Sequence, residues 1–247
     1  MVERNQERER QNRGLLVAAR YSLPALKSAG CGISVETGEK IRQRLKEPIS
    51  QEEAKELLSN FKTARLFYQL IADSCCLSHY DEDVIRGYWL GNWTSSRVEA
   101  ETLRKAVAQR EAEIIGWEKA EKLAAKIPAD VILNHSFNSF LLKLIFEGDY
   151  KEEFDSCRIC WGKVLRKGKE RLEISYQQII KEEKLFTWSH LKKREIFWDY
   201  KFNGKPEIGN YVSFHYGQGC EVINSDDLWG LRHYTNLNRL VANYSLG

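Results

Sequence analysis

The chain has 247 residues, of which 43% are hydrophobic and 30% are charged, and its formal net charge is +3. This composition is typical of a globular protein with a buried core, and it excludes a polyelectrolyte that binds nucleic acid through bulk charge. No run approaches the roughly 18 consecutive apolar residues that a membrane span needs. The start of the chain shows no apolar secretory segment, so we expect a cytoplasmic protein. Its six cysteines are then expected to be reduced thiols rather than a disulfide framework.

The first part of the chain predicts an all-helical domain. Residues 1–13 are polar and charged and are expected to form a disordered or frayed tail. Apolar residues then recur at helical spacing from Gly14 to about Ile127. We therefore place the helical domain at residues 14–150.

Several helix boundaries can be predicted within this domain. Ser50 followed by Glu53 is a capping box that starts one helix. Ser95 to Lys126 is rich in Ala, Glu and Lys and predicts one extended helix, which Pro128 ends. The apolar segment Val131–Phe146 fits a buried helix or a strand, and we favour a helix.

The second part, residues 151–247, predicts a small β-rich domain. Short runs of aromatic and β-branched residues alternate with turn signals such as Lys167-Gly168-Lys169. Five short strands predict a small OB-like barrel, and a helix from about Asp226 to Tyr244, capped by Ser225, follows them. The predicted strands are residues 157–166, 171–177, 185–188, 194–202 and 210–216. The predicted fold class is α+β.

Cys157 and Cys160 form a Cys-x-x-Cys pair at the start of the first predicted strand. A structural zinc site needs four ligands, and no second pair follows at a suitable spacing. A dithiol redox site needs a helix after its first cysteine, whereas a strand is predicted here. The alternative is that both cysteines are buried thiols of the core. Arg158 or Lys163 beside Cys157 could lower the pKa of its thiol.

His215 lies at the end of the last predicted strand. Strand alternation places Tyr211, Ser213 and His215 on one face, opposite the most apolar face. The first and last strands of a small closed barrel are neighbours, so Cys157 and His215 are expected to approach each other. One thiolate and one imidazole make a partial site for iron or another transition metal, and Cys160 is a further candidate ligand. A hydrogen-bonded structural histidine is the alternative.

The helical part offers further candidate residues. His135 lies between apolar runs, with a hydrogen-bonded structural role as the alternative, and Cys31 precedes Gly32 in a predicted turn. The adjacent thiols Cys75 and Cys76 have no positively charged neighbours and are predicted to be inert. No phosphate-binding loop, hydrolase elbow or His-Glu-x-x-His motif occurs in the chain.

Residues 157 to about 240 resemble the HypC/HupF family of hydrogenase-maturation chaperones. The resemblance rests on Cys157 followed by Gly162-Lys163-Val164, on the run from Gly209 to Gly217, and on the acidic lead into the last helix. It implies a HypC-like barrel whose cysteine and histidine, here Cys157 and His215, carry an iron centre with cyanide and carbonyl ligands. In that family the partner is HypD, and the cysteine stands at a processed N-terminus, whereas Cys157 is internal.

The whole chain also resembles an uncharacterised family of bacterial proteins whose genes often lie near hydrogenase genes. That resemblance involves Gly14 to Tyr21, Cys31-Gly32, His135-Ser136-Phe137 and the Cys157 motif. Together the resemblances imply an accessory or chaperone protein in nickel-iron hydrogenase maturation, rather than an enzyme. The implied partner is a HypD-like protein or the precursor of the hydrogenase large subunit.

Two other functions remain open. The first is a β-barrel binding module for single-stranded nucleic acid or another protein, with no metal role. Its rings would be Tyr176, Phe186, Trp188, Phe197, Trp198, Tyr200 and Phe202, and its charge would come from Lys192-Lys193-Arg194. Nucleic acid is disfavoured because such rings also fill small barrels. The second is an enzyme with a Cys–His nucleophile and base, for which no motif specifies a substrate.

Overall fold

The structure is a computed structural model, and it describes residues 2–28, 36, 41, 43, 50–151 and 153–245. Within these residues the chain is helical up to Cys157, the strands follow, and a long helix comes last. The predicted α+β class is therefore confirmed. None of the helices in the described ranges combines the length and the apolar character that crossing a membrane requires.

Nine α-helices occur in the described residues, together with two 3-10 helices (Leu23–Ser28 and Trp93–Arg97) and one π-helical segment (Phe137–Leu142). The α-helices are α1 (Val2–Ser22), α2 (Gln51–Leu58), α3 (Lys62–Cys75), α4 (Glu82–Trp89), α5 (Ala100–Ile115), α6 (Trp117–Ala124), α7 (Lys143–Glu147), α8 (Glu153–Cys157) and α9 (Ser225–Ser245).

Helix α1 corrects the prediction of a frayed tail, because residues 2–13 belong to it. Its polar side chains have partners at the start of α4. Arg10 pairs with Asp81 and Asp83 at 2.8 Å each, and Arg13 pairs with Glu82 at 2.6 Å. The packing is close: a Cβ on Gly14 would lie 2.1 Å from the carbonyl oxygen of Tyr80. The helix is held by tertiary contacts that a polar sequence does not reveal.

The extended helix predicted for Ser95 to Lys126 is wrong, because it is broken into a 3-10 turn and two α-helices. Gly116 separates α5 from α6 with φ of +81°, a backbone conformation that only glycine adopts without strain. Ser50 does cap α2, since its side chain accepts a hydrogen bond from the Glu53 amide. The predicted helix at Val131–Phe146 begins only at His135.

Seven strands follow, two more than predicted. They are β1 (Cys160–Lys167), β2 (Arg171–Tyr176), β3 (Ile179–Glu182), β4 (Leu185–Trp188), β5 (Lys192–Phe197), β6 (Tyr211–His215) and β7 (Gln218–Ile223). The prediction missed β3 and β7. It also started β1 at Cys157, which is the last residue of α8.

Five of these strands form a mixed sheet in the order β1-β2-β5-β7-β6, and β6 pairs back with β1. The pairs are antiparallel except β5–β7, which is parallel and shares one residue pair, Phe197 with Gln218. Strands β3 and β4 form a separate hairpin. The pairing of β6 with β1 places His215 near the chain that enters β1, as the sequence predicts.

Two hydrophobic clusters stabilise this arrangement. The smaller one lies within the sheet and includes Val164, Ile174, Trp198 and Phe214. The larger one contains apolar side chains from the helices as well as Trp161 and Phe186, so residues of both predicted domains share one packed core. Burial of this apolar surface is the main force holding the helices on one face of the sheet.

Candidate metal centre

Three potential metal ligands meet where the helical part packs on the sheet. The ligand atoms of His135, Cys157 and His215 all lie within 4.8 Å of one another. The three residues are buried, with exposed fractions of 3%, 5% and 0%. Among the described residues, this is the one group of three or more His, Cys, Asp or Glu side chains with metal-binding spacing.

His135 is positioned by the polar turn that begins the π-helical region. The Asn134 side chain accepts hydrogen bonds from the Phe137 amide and the Ser136 hydroxyl, and Asn238 of α9 donates to it at 3.0 Å. The Ser139 hydroxyl donates to the His135 carbonyl at 2.8 Å. Irregular π turns inside helices often occur at functional sites, because they displace one residue from the regular spacing.

Cys157 is positioned by the short helix α8, which ends at this residue. The Tyr216 amide donates to the Ser156 carbonyl at 3.1 Å and so joins the end of β6 to the end of α8. The guanidinium of the next residue, Arg158, pairs with Asp155 at 2.7 Å. Cys157 thus lies between the last turn of α8 and the end of β6.

His215 is oriented by helix α1. Its Nδ1 lies 2.9 Å from the Tyr21 carbonyl oxygen, which can only accept, so Nδ1 carries the proton in the neutral ring. The Nε2 atom then has a free lone pair. A histidine that donates one ring N–H to a backbone carbonyl and offers the other nitrogen is the usual arrangement of a metal ligand.

Two ring nitrogens of this group are buried without a hydrogen-bond partner: Nδ1 of His135 and Nε2 of His215. Burial lowers the pKa of His215 to about 4, against the opposing effect of the Tyr21 and Cys157 backbone. Burial, and after it the neighbouring His215, lowers the pKa of His135 well below its ordinary range. Both imidazoles are therefore neutral near pH 7, the state in which imidazole binds a metal.

Aromatic rings enclose the group. Trp89 stacks on His135 with ring centroids 4.7 Å apart, and the His135 and His215 rings meet edge to face at 5.0 Å. Tyr216 lies against His215 at 4.7 Å. These rings exclude water and fix both imidazoles, so little reorganisation would accompany binding of an ion.

A buried polar network continues from the site through Tyr21. Its hydroxyl lies 2.7 Å from the Ser213 hydroxyl and donates to Glu221 at 2.9 Å. Arg86 pairs with Glu221 and with Asp227 of α9. Burial raises the pKa of Glu221, while Arg86 and Tyr21 oppose that effect. The network ties α1, α4 and α9 to β6 and β7.

The chemistry of this set is that of a mixed nitrogen and sulfur site. Two imidazoles and one thiolate suit zinc, iron or copper, whereas calcium and magnesium prefer oxygen ligands. Three protein ligands leave at least one coordination position for another group. The thiolate is the form of cysteine that binds a metal, so the metal affinity of such a site depends on pH.

Cys160, the other thiol of the Cys-x-x-Cys pair, is not in the set. It packs inside the sheet with Val164 and Phe214, and its Sγ lies 3.5 Å from the Asp155 carbonyl oxygen. Burial raises the pKa of its thiol to about 12, so it carries a proton at neutral pH.

The remaining predicted site residues lie elsewhere. The Arg158 guanidinium is buried between the Trp161 and Trp188 rings at 5.2 and 5.3 Å, and its pair with Asp155 makes it a structural residue. Lys163 is exposed on β1, opposite Ser175 and Tyr211. Cys31 lies outside the residues that the structure describes.

The seven aromatic side chains that the sequence offers for stacking on nucleic acid do not form an exposed face. None of these seven side chains is exposed, and Trp198 is 0% exposed. No sequence pattern identifies Tyr21 and Tyr216, whose main-chain atoms help to position the candidate ligands, as site residues. The main-chain part of their contribution leaves no side-chain signal in the sequence.

Residues 10–246 match the model of a family described as a family of unknown function, DUF6390. No curated protein and no solved structure matches the chain.

Proposed function

We propose that this chain, which belongs to the DUF6390 family, is an accessory protein of nickel-iron hydrogenase maturation that binds an iron centre as its cargo. The proposal assigns the metal contacts to Cys157 and His215, with His135 as a third ligand. The observation that carries it is the meeting of these three ligand atoms within 4.8 Å in a buried, neutral, aromatic-walled site. The resemblance of residues 157 to about 240 to the HypC/HupF family supplies the identity of the cargo.

The donor set fits such a cargo. A thiolate and two neutral imidazoles are good ligands for ferrous iron, and three protein ligands leave room for cyanide and carbonyl. His215 Nε2 and His135 Nδ1 are buried nitrogen atoms without a hydrogen-bond partner. Burying an unpartnered polar atom costs free energy, and a bound metal would remove that cost.

We further propose that the five-stranded sheet is the small HypC-like, OB-like barrel of that family. Support comes from the neighbouring positions of β1 and β6 and from Gly209, whose φ of +92° makes the turn into β6. The chain departs from that family at its cysteine, because Cys157 is buried and internal. Because the end of α1 covers His215, handing the cargo to a HypD-like protein or a large-subunit precursor requires the contact between Tyr21 and His215 to open.

The test is an infrared spectrum of the tagged protein, purified without oxygen from cells that make a nickel-iron hydrogenase. We expect cyanide and carbonyl stretches together with about one iron per chain. Both should disappear in Cys157→Ala and in His215→Asn. Cys160→Ala is the matched control, since this buried thiol lies outside the ligand set, and it should keep the bands.

A folded wild-type protein without these bands would refute iron-centre carriage. Bands of equal intensity in wild type and Cys157→Ala would refute the assigned ligand. Titration of the metal-free protein with cobalt(II) separates the metal site from the hydrogenase role. Thiolate-to-cobalt absorption that is lost in Cys157→Ala, without infrared bands in cell-derived protein, would leave a metal protein unconnected with hydrogenase.

A further inference from the structure

A second candidate ligand site lies beside Trp161. Helix α9 and the strands leave a groove of about 500 Å³ between them, a size typical of small-molecule sites. One wall is a single face of α9, and the opposite wall contains Trp161 of β1 and Trp188 of β4. These two indoles meet edge to face at 5.4 Å, so the wall is well packed.

The α9 wall carries an exposed aromatic pair. Trp229 is 59% exposed, which is unusual for a tryptophan on a folded protein. Its ring stacks on the His233 imidazole, with centroids 4.5 Å apart and planes 12° from parallel. The pair is ordered by this stacking, and the exposed indole surface is available to a second planar ring.

The groove also contains a cation without an acidic partner. Arg232 is exposed and packs over the Tyr211 ring at 5.1 Å, and it forms no ion pair or hydrogen bond with any residue that the structure describes. By contrast, the buried Arg158 beneath the same tryptophans is neutralised by Asp155. The Arg232 guanidinium, with five N–H donors, is therefore the group that would bind an anion here.

From these groups we propose that the groove binds a small anion that carries a planar aromatic ring, such as a nucleoside monophosphate. The ring stacks on Trp229, and the phosphate binds the guanidinium of Arg232. A single cation and a groove of this size fit one nucleotide, whereas single-stranded nucleic acid requires a charged track along several nucleotides. The inference is independent of the iron centre, since none of the three metal ligands lines the groove.

The test uses the full chain and isothermal titration with adenosine monophosphate. We expect saturable binding at one site per chain. Trp229→Ala and Arg232→Gln should each weaken it by about tenfold or more, as expected for loss of one stacking partner or one phosphate contact. Adenosine, which lacks the charge, and ribose 5-phosphate, which lacks the ring, should each bind at least tenfold more weakly than the nucleotide.

The chain offers a matched control in Trp93 and Arg97. Trp93 is 50% exposed and Arg97 packs over its ring at 5.9 Å, but neither residue lines the groove. Trp93→Ala and Arg97→Gln should leave the affinity within twofold of wild type.

Three outcomes would overturn the proposal: no saturable binding at millimolar nucleotide, equal binding of ribose 5-phosphate, or equal weakening by the control variants. Trp229 and Arg232 are exposed side chains, so their replacement is expected to leave the protein folded. Far-UV circular dichroism of each variant checks this point, and Arg232→Lys, which keeps the charge, provides a second folded variant with intermediate affinity.

Discussion

Acid should destabilise the metal-free protein through His215. In the folded state this imidazole has a pKa of about 4 because it is buried, against an ordinary value of 6.5. The unfolded chain therefore binds more protons between these two pH values, and the free energy of unfolding falls as the pH falls from about 6.5 towards 4. Linkage gives a loss of about 1.4 kcal/mol at about pH 5.5 and about 2.6 kcal/mol at about pH 4.5, relative to pH 8.

The assay is urea unfolding of chelator-treated protein across this pH range, in wild type and in His215→Asn. Asparagine can keep the donor to the Tyr21 carbonyl but cannot take up a proton, so the variant isolates titration from packing. Comparing the two proteins is essential because burial raises the pKa of Glu221 and Asp227. As the pH falls, protonation of these two carboxyl groups raises the free energy of unfolding. This contribution is common to the wild type and the variant, so it cancels when the two free energies are subtracted.

We expect the wild type to lose about 2.6 kcal/mol more than His215→Asn between about pH 8 and pH 4.5. Parallel pH profiles for wild type and His215→Asn would refute the reasoning, since they would mean that the His215 ring titrates alike in the folded and unfolded chains.

Two further predictions concern the packing around the site. Gly219→Ala should lower the free energy of unfolding by about 1–3 kcal/mol, because its Cβ would lie 2.1 Å from the Trp198 ring. Urea unfolding measures this, and Trp198→Leu in the same chain should recover part of the loss; additive losses would contradict the assigned clash. Arg158→Met should cost about 3–5 kcal/mol by leaving the buried Asp155 unpaired. The double variant with Asp155→Leu should be more stable than Arg158→Met alone, and failure of this rescue would show that the ion pair is not the cause.

The relation of Cys157 to His215 could be predicted because it follows from strand pairing. The strands predicted to be neighbours do pair, as β1 and β6, although β7 rather than β6 is the last strand. Alternation along β6 was correct for Val212 and Phe214, which pack inside the sheet, and for Ser213 and His215, which face the helices. Tyr216, which the same alternation places with Val212 and Phe214, instead lies in the turn after β6 with its ring against His215. Periodicity of two in a strand is a local property, and it can be read from a sequence.

The position of His135 beside these residues could not be predicted in the same way. His135 was named as a candidate from its own surroundings, but its approach to His215 depends on how the helices pack on the sheet. That packing is set by many apolar contacts in the larger core, and no spacing in the sequence encodes it. The same limit applies to α1, whose polar first turns are ordered by α4.

The missed strand β7 has a more specific cause. The turn between β6 and β7 consists of Tyr216 and Gly217, with φ of +50° and +74°. Two residues with positive φ make the tight hairpin that suits twisted strands, but its usual sequence is Asn-Gly or Asp-Gly. Tyrosine in the first position of the turn does not fit this pattern, so the sequence does not predict a hairpin here. The unusual turn also matters for the site, because it fixes the end of β6 where His215 stands.

The three candidate ligands stand far apart in the chain, and this separation links ion binding to folding. His135 comes first, Cys157 follows, and His215 is the last of the three. The carbonyl that orients His215 belongs to Tyr21 of α1, which precedes all three. Helix α1, the polar turn of His135 and the end of β6 must therefore pack together before the ligand set is complete. A bound ion would stabilise the folded chain against unfolding, because the unfolded chain lacks the assembled site.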